Sequence, residues 1–211
     1  MPVFRKNGRN ILFIHVPKCG GTSVENAFRQ SGYRSLYLDG KTGPGTVNYF
    51  RPCTPQHMHA EILEKIFLID RFDAVFMLVR EPLARFRSEF VYRHRKRNFA
   101  GVAPSAEYVS SWAAKALDSH ASDPFHFDNH LRPQHEFQTR NAEVYKLEDG
   151  LDNVFNDLNR RFELGLSVPL ERGKDGRNSG LMSSQVELEP RLVGRLQELY
   201  KYDYTSFGYA K

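Results

Sequence analysis

A short apolar strand that leads into a glycine pair and then a helix is the feature of this sequence that most constrains its fold. Residues Asn10–Val16 are apolar and rich in β-formers, which indicates a buried strand. A proline and two glycines break that run, and Thr22 and Ser23 then offer an N-cap to a helix. Apolar strands that alternate with helices are typical of an α/β fold.

The same alternation continues along the 211 residues. Further strands are predicted at Asp73–Val79 and Ala142–Leu147, and helices at Ala60–Phe67, Pro82–Arg97, Ser105–His120, Leu151–Phe162 and Pro190–Tyr200. We predict an α/β class with a P-loop-like three-layer fold, in which helices flank a central, mostly parallel sheet. The length and the lack of a long linker predict one domain over residues 1–211.

The glycine pair sits in a sequence suited to phosphate binding. Gly20 and Gly21 let backbone N–H groups approach an anion, and the helix N-terminus behind them adds a partial positive charge. Lys18 adds a full charge, and the two hydroxyls that follow add donors. The plain alternative is a tight turn followed by a capped helix. The lysine precedes the glycines, which is not the Walker A order and weakens a kinase or ATPase interpretation.

The segment HVPKCGGTS resembles the 5′-phosphosulfate-binding loop of PAPS-dependent sulfotransferases, particularly their carbohydrate and uronyl 2-O-sulfotransferase branch. Cys19 replaces the commoner threonine, which removes one hydroxyl and keeps the backbone N–H. The resemblance implies that this loop binds PAPS and that PAP is the product. The implied cofactor-binding residues of the loop are Lys18, Cys19, Gly20, Gly21, Thr22 and Ser23, with Lys18 also catalytic.

A second anchor follows the second predicted strand. Arg80 ends that strand and Ser88 lies eight residues later on the next helix. In the family these positions hold the 3′-phosphate of PAPS, and arginine can grip a phosphate through paired N–H bonds. A surface arginine and an ordinary helix serine are the alternative for either residue alone.

Other segments carry candidate catalytic and substrate residues. The run Gln56-His57-Met58-His59 resembles the His-x-His pair of uronyl 2-O-sulfotransferases, which implies His59 as general base and His57 as helper, with the two roles exchangeable. Two histidines at this spacing are a poor zinc site, so no metal is expected.

His130, Arg132 and Gln134 resemble a recurring Arg-Pro-Gln stretch that lines a substrate cleft in the family, although a structural loop is an alternative. Three late cations, Arg172, Lys174 and Arg177, either close over the cofactor or belong to a solvated loop.

The sequence therefore predicts sulfuryl transfer from PAPS to a hydroxyl of a carbohydrate or other acceptor. The alternatives to this prediction are a P-loop nucleoside-phosphate kinase-like phosphotransferase and a non-catalytic module that binds an anionic polymer.

The net charge of +5 depends largely on the run Arg93–Arg97, which is either a solvated helix end or a docking surface for an anion. No nucleic-acid motif accompanies that run. The polar start and the lack of a long apolar run predict a cytoplasmic protein without a membrane span, with peripheral membrane contact and oligomeric state left open.

Overall fold

Five strands form one sheet in the order β3-β1-β2-β4-β5. The computed structural model describes residues 2–97, 99, 102–168 and 181–210. The predicted loop 173–180 and the three late cations lie outside these residues. The strands are β1 (Val3–Lys6), β2 (Arg9–Ile14), β3 (Arg34–Leu36), β4 (Ala74–Val79) and β5 (Glu143–Lys146).

The three strands predicted from the sequence form the parallel part of this sheet. β4 pairs in parallel with both β2 and β5, and all six residues of β4 are buried. Because β2 and β4 run in the same direction with Ile14 beside Met77, their carboxyl ends share one edge of the sheet. The mixed α/β prediction is therefore confirmed for the centre of the sheet.

Two antiparallel strands, β1 and β3, extend the sheet and were not predicted. A hairpin joins β1 to β2 through Asn7 and Gly8, both of which adopt positive φ. An Asn-Gly pair is the strongest short hairpin signal, because a type I′ turn needs positive φ at both central residues. This dipeptide marked the missed strand, although β1 itself is too short to show an alternating pattern.

Seven helices are found in the described residues: α1 (Gly21–Gln30), α2 (Ala60–Ile66), α3 (Pro82–Arg93), α4 (Ala106–Ser122), α5 (Leu151–Phe162), α6 (Pro190–Leu199) and α7 (Lys201–Phe207). The last of these was not predicted. None of these helices is long and apolar enough to cross a bilayer.

The chain divides into two compact units, each drawn from two stretches of sequence. One contains Met1–Val79 and Glu136–Gly173, and the other contains Arg80–His135 and Lys174–Lys211. We call them the sheet unit and the helical unit. Neither unit is a continuous segment, so no composition change along the chain marks the division.

In the sheet unit, α1 packs on the sheet through aromatic side chains. The ring of Phe28 stacks at 4.0 Å on Phe4 of β1 and at 5.9 Å on Phe76 of β4, and Phe76 stacks on Phe13 of β2. All four rings are at most 1% exposed. Burial of rings of this size dominates a core, so this stack fixes α1 against the sheet.

The helical unit has its own apolar core, built from α3, α4, α6 and α7. Phe86 and Phe90 of α3 face the ring of Trp112 on α4, at centroid distances of 5.8 and 5.2 Å. The prediction that α3 continues to Arg97 is wrong, because the helix ends at Arg93. The chain turns at His94, which is the C-cap and whose buried ring stacks on Phe90.

Candidate active site

The loop between β2 and α1 has a backbone conformation that departs from both elements. Lys18 adopts a φ of 68° and Gly20 a φ of 85°, so the chain enters the left-handed region twice within three residues. Lys18 is half-buried and Cys19 is buried. Glycine takes this conformation at little cost, whereas a lysine there is uncommon and costs about 1 kcal/mol.

The two glycines of the loop are required for different reasons. At Gly20 the left-handed backbone is the main constraint, and an added Cβ would also lie 2.9 Å from Cδ1 of Leu147. At Gly21 the constraint is steric, since an added Cβ would overlap the imidazole ring of His15. His15, the residue directly after β2, thus accounts for the second glycine.

The N-terminus of α1 has no side-chain cap among the described residues. Gly20 is the N-cap, so the prediction that Thr22 or Ser23 caps the helix is wrong. Thr22 and Ser23 lie inside the first turn of α1 instead, because the helix begins directly after Gly20, which has a left-handed backbone conformation. The first N–H groups of a helix have no intrahelical acceptor, and they carry the positive end of the helix dipole. This end of α1 is therefore suited to an anion.

A buried polar cluster of His15, Glu25 and Gln56 lies behind the loop, and sequence analysis did not identify it. Nδ1 of His15 lies 3.0 Å from Oε1 of Glu25 on α1, and Nε2 of Gln56 donates to the same oxygen at 3.2 Å. Burial raises the pKa of the Glu25 carboxyl above its ordinary value, and the hydrogen bond from Gln56 lowers it in part. The position of His15 near the end of the predicted strand Asn10–Val16 was the one available signal.

The histidine pair follows Gln56 directly, and its two rings lie in different surroundings. His57 ends a short 3-10 helix, Pro55–His57, and its ring meets that of His15 edge-on at 5.0 Å. His59 precedes α2, with Nε2 3.8 Å from a carboxylate oxygen of Glu61 and its ring 6.5 Å from Phe137. Both side chains are buried. The ring of His57 therefore contacts the cluster behind the loop.

In the helical unit, Arg80 is the first residue after β4, and its backbone is held by a side chain. The backbone N–H of Arg80 donates to Oε1 of Gln134 at 2.9 Å, and Nε2 of Gln134 donates to the carbonyl oxygen of Arg80 at 2.7 Å. Gln134 is completely buried. Its backbone N–H donates in turn to Asp203 of α7 at 2.9 Å.

Arg80 lines a cleft of about 650 Å³ in the helical unit. The cleft combines two arginines with two serine hydroxyls, and its lining consists of Arg80, Ala84, Arg87, Ser183, Ser184, Val186, Glu187 and Leu188. Nε of Arg87 donates to the carbonyl oxygen of Val186 at 3.0 Å. Ser88 lies half-buried on α3 and is not among the lining residues.

The helix α3 that carries Ser88 is fixed at both ends by carboxylates. Glu81 is the N-cap, with its two oxygens accepting from the N–H groups of Leu83 and Ala84. Further along, the buried Glu89 accepts from Arg93 at 2.5 Å and lies 2.6 Å from Nδ1 of His130. Burial by itself would raise the pKa of Glu89, but His130 and Arg93 hold it below the ordinary value.

The predicted substrate residues of the Arg-Pro-Gln stretch have structural contacts within the helical unit. His130 pairs with Glu89, and Arg132 donates to Oδ1 of Asn129 at 2.9 Å. Together with Gln134 these side chains are buried. Their role in substrate binding stays a prediction. The contacts described here show that they also join segments within the helical unit.

The basic run Arg93–Arg97 is not a uniform charged surface. Arg93 belongs to the Glu89 pair, and its guanidinium lies 4.0 Å above the ring of Phe127. His94 is buried, whereas Arg95, Lys96 and Arg97 are exposed. The exposed cations of the run are therefore limited to these three residues, which follow α3 and His94.

The fold and the loop define a mixed α/β protein in which a parallel strand leads through a glycine pair into an uncapped helix. A family model described as Sulfotransferase family matches residues 2–210. The chain therefore belongs to the sulfotransferase family, which makes it a transferase and confirms the predicted class of reaction, sulfuryl transfer. Comparisons with curated proteins and with solved structures find no match.

Proposed function

We propose that this protein transfers a sulfuryl group from PAPS to a hydroxyl of a carbohydrate, as a member of the carbohydrate and uronyl 2-O-sulfotransferase branch. The observation that carries the proposal is the loop after β2, where Lys18 and the uncapped N-terminus of α1 meet at a glycine pair. We also infer that the two compact units act as one catalytic domain, because the family match spans both.

The loop has the chemistry needed to hold the 5′-phosphosulfate. Its backbone N–H groups at Gly20 and Gly21 and the end of α1 are directional donors, which favour a fixed anion. Lys18 provides the full positive charge that stabilises the negative charge on the leaving phosphate oxygen. PAPS supplies the sulfuryl group and leaves as PAP.

Arg80 is the proposed anchor of the 3′-phosphate. It lines a cleft that also contains Arg87 and two serines, so cations and hydroxyl donors converge there. The resemblance assigns Ser88 to the same phosphate. In this structure Ser184 lines the cleft and Ser88 does not, which makes Ser184 a natural comparison in binding experiments.

A histidine of the His57–His59 pair is the proposed general base. Its neutral imidazole accepts the hydroxyl proton of the acceptor while the acceptor oxygen bonds to sulfur and the bond from sulfur to the bridging phosphate oxygen breaks. The family resemblance favours His59. The edge contact of His57 with His15 favours the other member of the pair, so both are tested below.

The proposal is tested by transfer of label from ³⁵S-PAPS to a panel of oligosaccharides and small hydroxyl compounds, with γ-³²P-ATP as the competing donor. We expect ³⁵S on a carbohydrate and no ³²P transfer. Label on small non-sugar acceptors alone would remove the carbohydrate assignment. Transfer of ³²P without ³⁵S would replace the proposal with the kinase-like alternative.

A further inference from the structure

We propose that Gln134 and Asp203 are positioning residues for Arg80, so that the C-terminal helix α7 controls the affinity for the 3′-phosphate. The inference rests on the proposed function, in which Arg80 binds that phosphate. It concerns two side chains that are completely buried, so their effect on a ligand passes through Arg80.

The side-chain amide of Gln134 pairs with both backbone groups of Arg80. It accepts from the N–H at 2.9 Å and donates to the carbonyl oxygen at 2.7 Å, as a neighbouring strand would. These backbone groups belong to the first residue beyond β4, where the regular pairing of the strand ends. The amide therefore fixes the peptide units on both sides of the arginine Cα.

Asp203 in turn fixes the backbone at Gln134. Its two carboxylate oxygens accept from the backbone N–H groups of Gln134 and His135, each at 2.9 Å. The oxygen that accepts from His135 also lies 2.9 Å from Nδ1 of the same residue. A buried carboxylate is costly unless it is hydrogen-bonded, and these contacts supply the bonds that Asp203 needs.

The chain of contacts runs from α7 through Asp203 and Gln134 to the backbone of Arg80. Arginine binds phosphate best when both N–H bonds of its planar group are aligned, which requires a fixed starting point for the side chain. Ordering a mobile arginine at the moment of binding costs conformational entropy, and a backbone held in advance avoids part of that cost. The two positioning residues thus act on binding without a contact of their own to the ligand.

A double-mutant cycle on PAP affinity tests the inference. PAP is titrated by calorimetry into the full-length protein, Gln134→Ala, Arg80→Ala and the double variant. We expect Gln134→Ala to weaken PAP binding about tenfold in the native background, a coupling in the usual range for residues in one network. In the Arg80→Ala background the same change should have no further effect.

A second variant keeps the test valid if Gln134→Ala does not fold. Gln134→Glu has almost the same shape but, when ionised, lacks the donor for the carbonyl oxygen of Arg80. Protonation of the carboxyl restores one donor and one acceptor. The ratio of its PAP affinity to that of the native protein should therefore rise as the pH falls from 7 to 5, while Tm is followed in parallel.

The outcomes separate this inference from the proposed function. If the native protein does not bind PAP, the proposed function is wrong and the inference falls with it. If it binds PAP and Gln134→Ala binds equally well, the inference alone is overturned. An equal loss in the native and Arg80→Ala backgrounds also overturns it, because the effect would then be structural and independent of the arginine.

Discussion

The loop after β2 and the segment after β4 continue from the same edge of the sheet, but different kinds of contact hold them. In the loop, His15 excludes a side chain at Gly21, six residues away. After β4, Arg80 is held by Gln134, which lies 54 residues further along the chain, and Gln134 is held by Asp203, another 69 residues on.

The conformation of the two proposed phosphate anchors therefore depends on different contacts, which are short-range in the loop at Gly21 and long-range at Arg80. The steric constraint at Gly21 comes from a residue only six positions away, so it can persist when distant parts of the protein change. An arginine fixed by remote side chains depends on the elements of the fold that bring those side chains to it. The following predictions test this difference, from the largest expected effect to the smallest.

The largest effect is expected at the histidine pair, which follows the buried cluster behind the loop. Loss of a general base lowers turnover by about 10²- to 10⁴-fold. We expect this loss in His59→Ala, with PAP affinity retained, in a radiolabel assay that includes His57→Ala as the matched variant. A loss in His57→Ala alone would reverse the assignment, and no loss in either would remove the histidine base.

Lys18→Ala should lower turnover by about 10²- to 10³-fold, which is typical for the loss of one charge-stabilising group. Because Lys18 is half-buried in a loop set by its neighbours, Tm should change little. Lys41→Ala, an exposed lysine in the same unit, is the control. A fall in Tm as large as the one expected for Glu89→Gln would show that the loop, too, depends on its lysine for folding.

Glu89→Gln tests the framework of the helical unit, because it breaks a buried ion pair on the helix that carries Ser88. The loss is about 3 kcal/mol by analogy with other buried pairs, which lowers Tm by about 6–12 °C for a chain of this size. The pKa of Glu89 is held below its ordinary value of 4.5 when folded. Its contribution is therefore complete above pH 4.5 and disappears as the pH falls through the lowered pKa.

The Tm difference between the native protein and Glu89→Gln should thus be constant from pH 7 to about 4.5 and narrow in more acidic buffers. Thermal unfolding followed by circular dichroism over this range measures it. Glu107→Gln, on the exposed face of α4, is the control and should leave Tm unchanged. A difference that instead widened in acid would contradict the lowered pKa.

Gly21→Ala tests whether the contact with His15 sets the loop. Forcing a side chain into a filled space costs about 1–3 kcal/mol, so Tm should fall by about 2–12 °C. The double variant His15→Ala, Gly21→Ala removes the obstructing ring and should recover part of that loss. No recovery would mean that the glycine is needed for a reason other than this contact.

The smallest effect is expected from the exposed cations that follow α3. Replacing Arg95, Lys96 and Arg97 by glutamine should lower kcat/KM by about two- to fivefold at low ionic strength, as expected if they steer an anion. The effect should vanish at high salt, where exposed charges are screened. A salt profile identical to that of the native protein would assign these residues to a solvated surface.

Sequence reasoning predicted the features that depend on short-range pattern. The three parallel strands were predicted because each is a short apolar run between turn residues. The six predicted helices are all present, as α1 to α6. The hairpin at Asn7 and Gly8 was overlooked although its dipeptide is diagnostic. The end of α3 was predicted at Arg97, whereas the helix ends at Arg93.

The candidate site was predicted in part. Lys18, Cys19 and Gly20 lie in the turn between β2 and α1, whereas Gly21, Thr22 and Ser23 lie in the first turn of α1, with Gly20 as its N-cap. Gln134 was predicted as a candidate substrate residue, with a structural loop as the alternative, and the structure shows its side chain paired with the backbone of Arg80. The sequence did not predict a site role for Asp203, because nothing near it in the chain indicates that it bonds to residues almost 70 positions earlier.

The sequence by itself determined the α/β class, the family and the loop after β2, because hydrophobic periodicity and backbone conformation are set by residues close in the chain. Only the tertiary structure decided how Arg80 is held and which buried groups stand behind the loop. Those contacts join side chains from distant segments, and hydrogen bonds between them depend on how the strands and helices pack. A buried carboxylate or amide is recognised only when its partners are known, and the partners are brought together by folding.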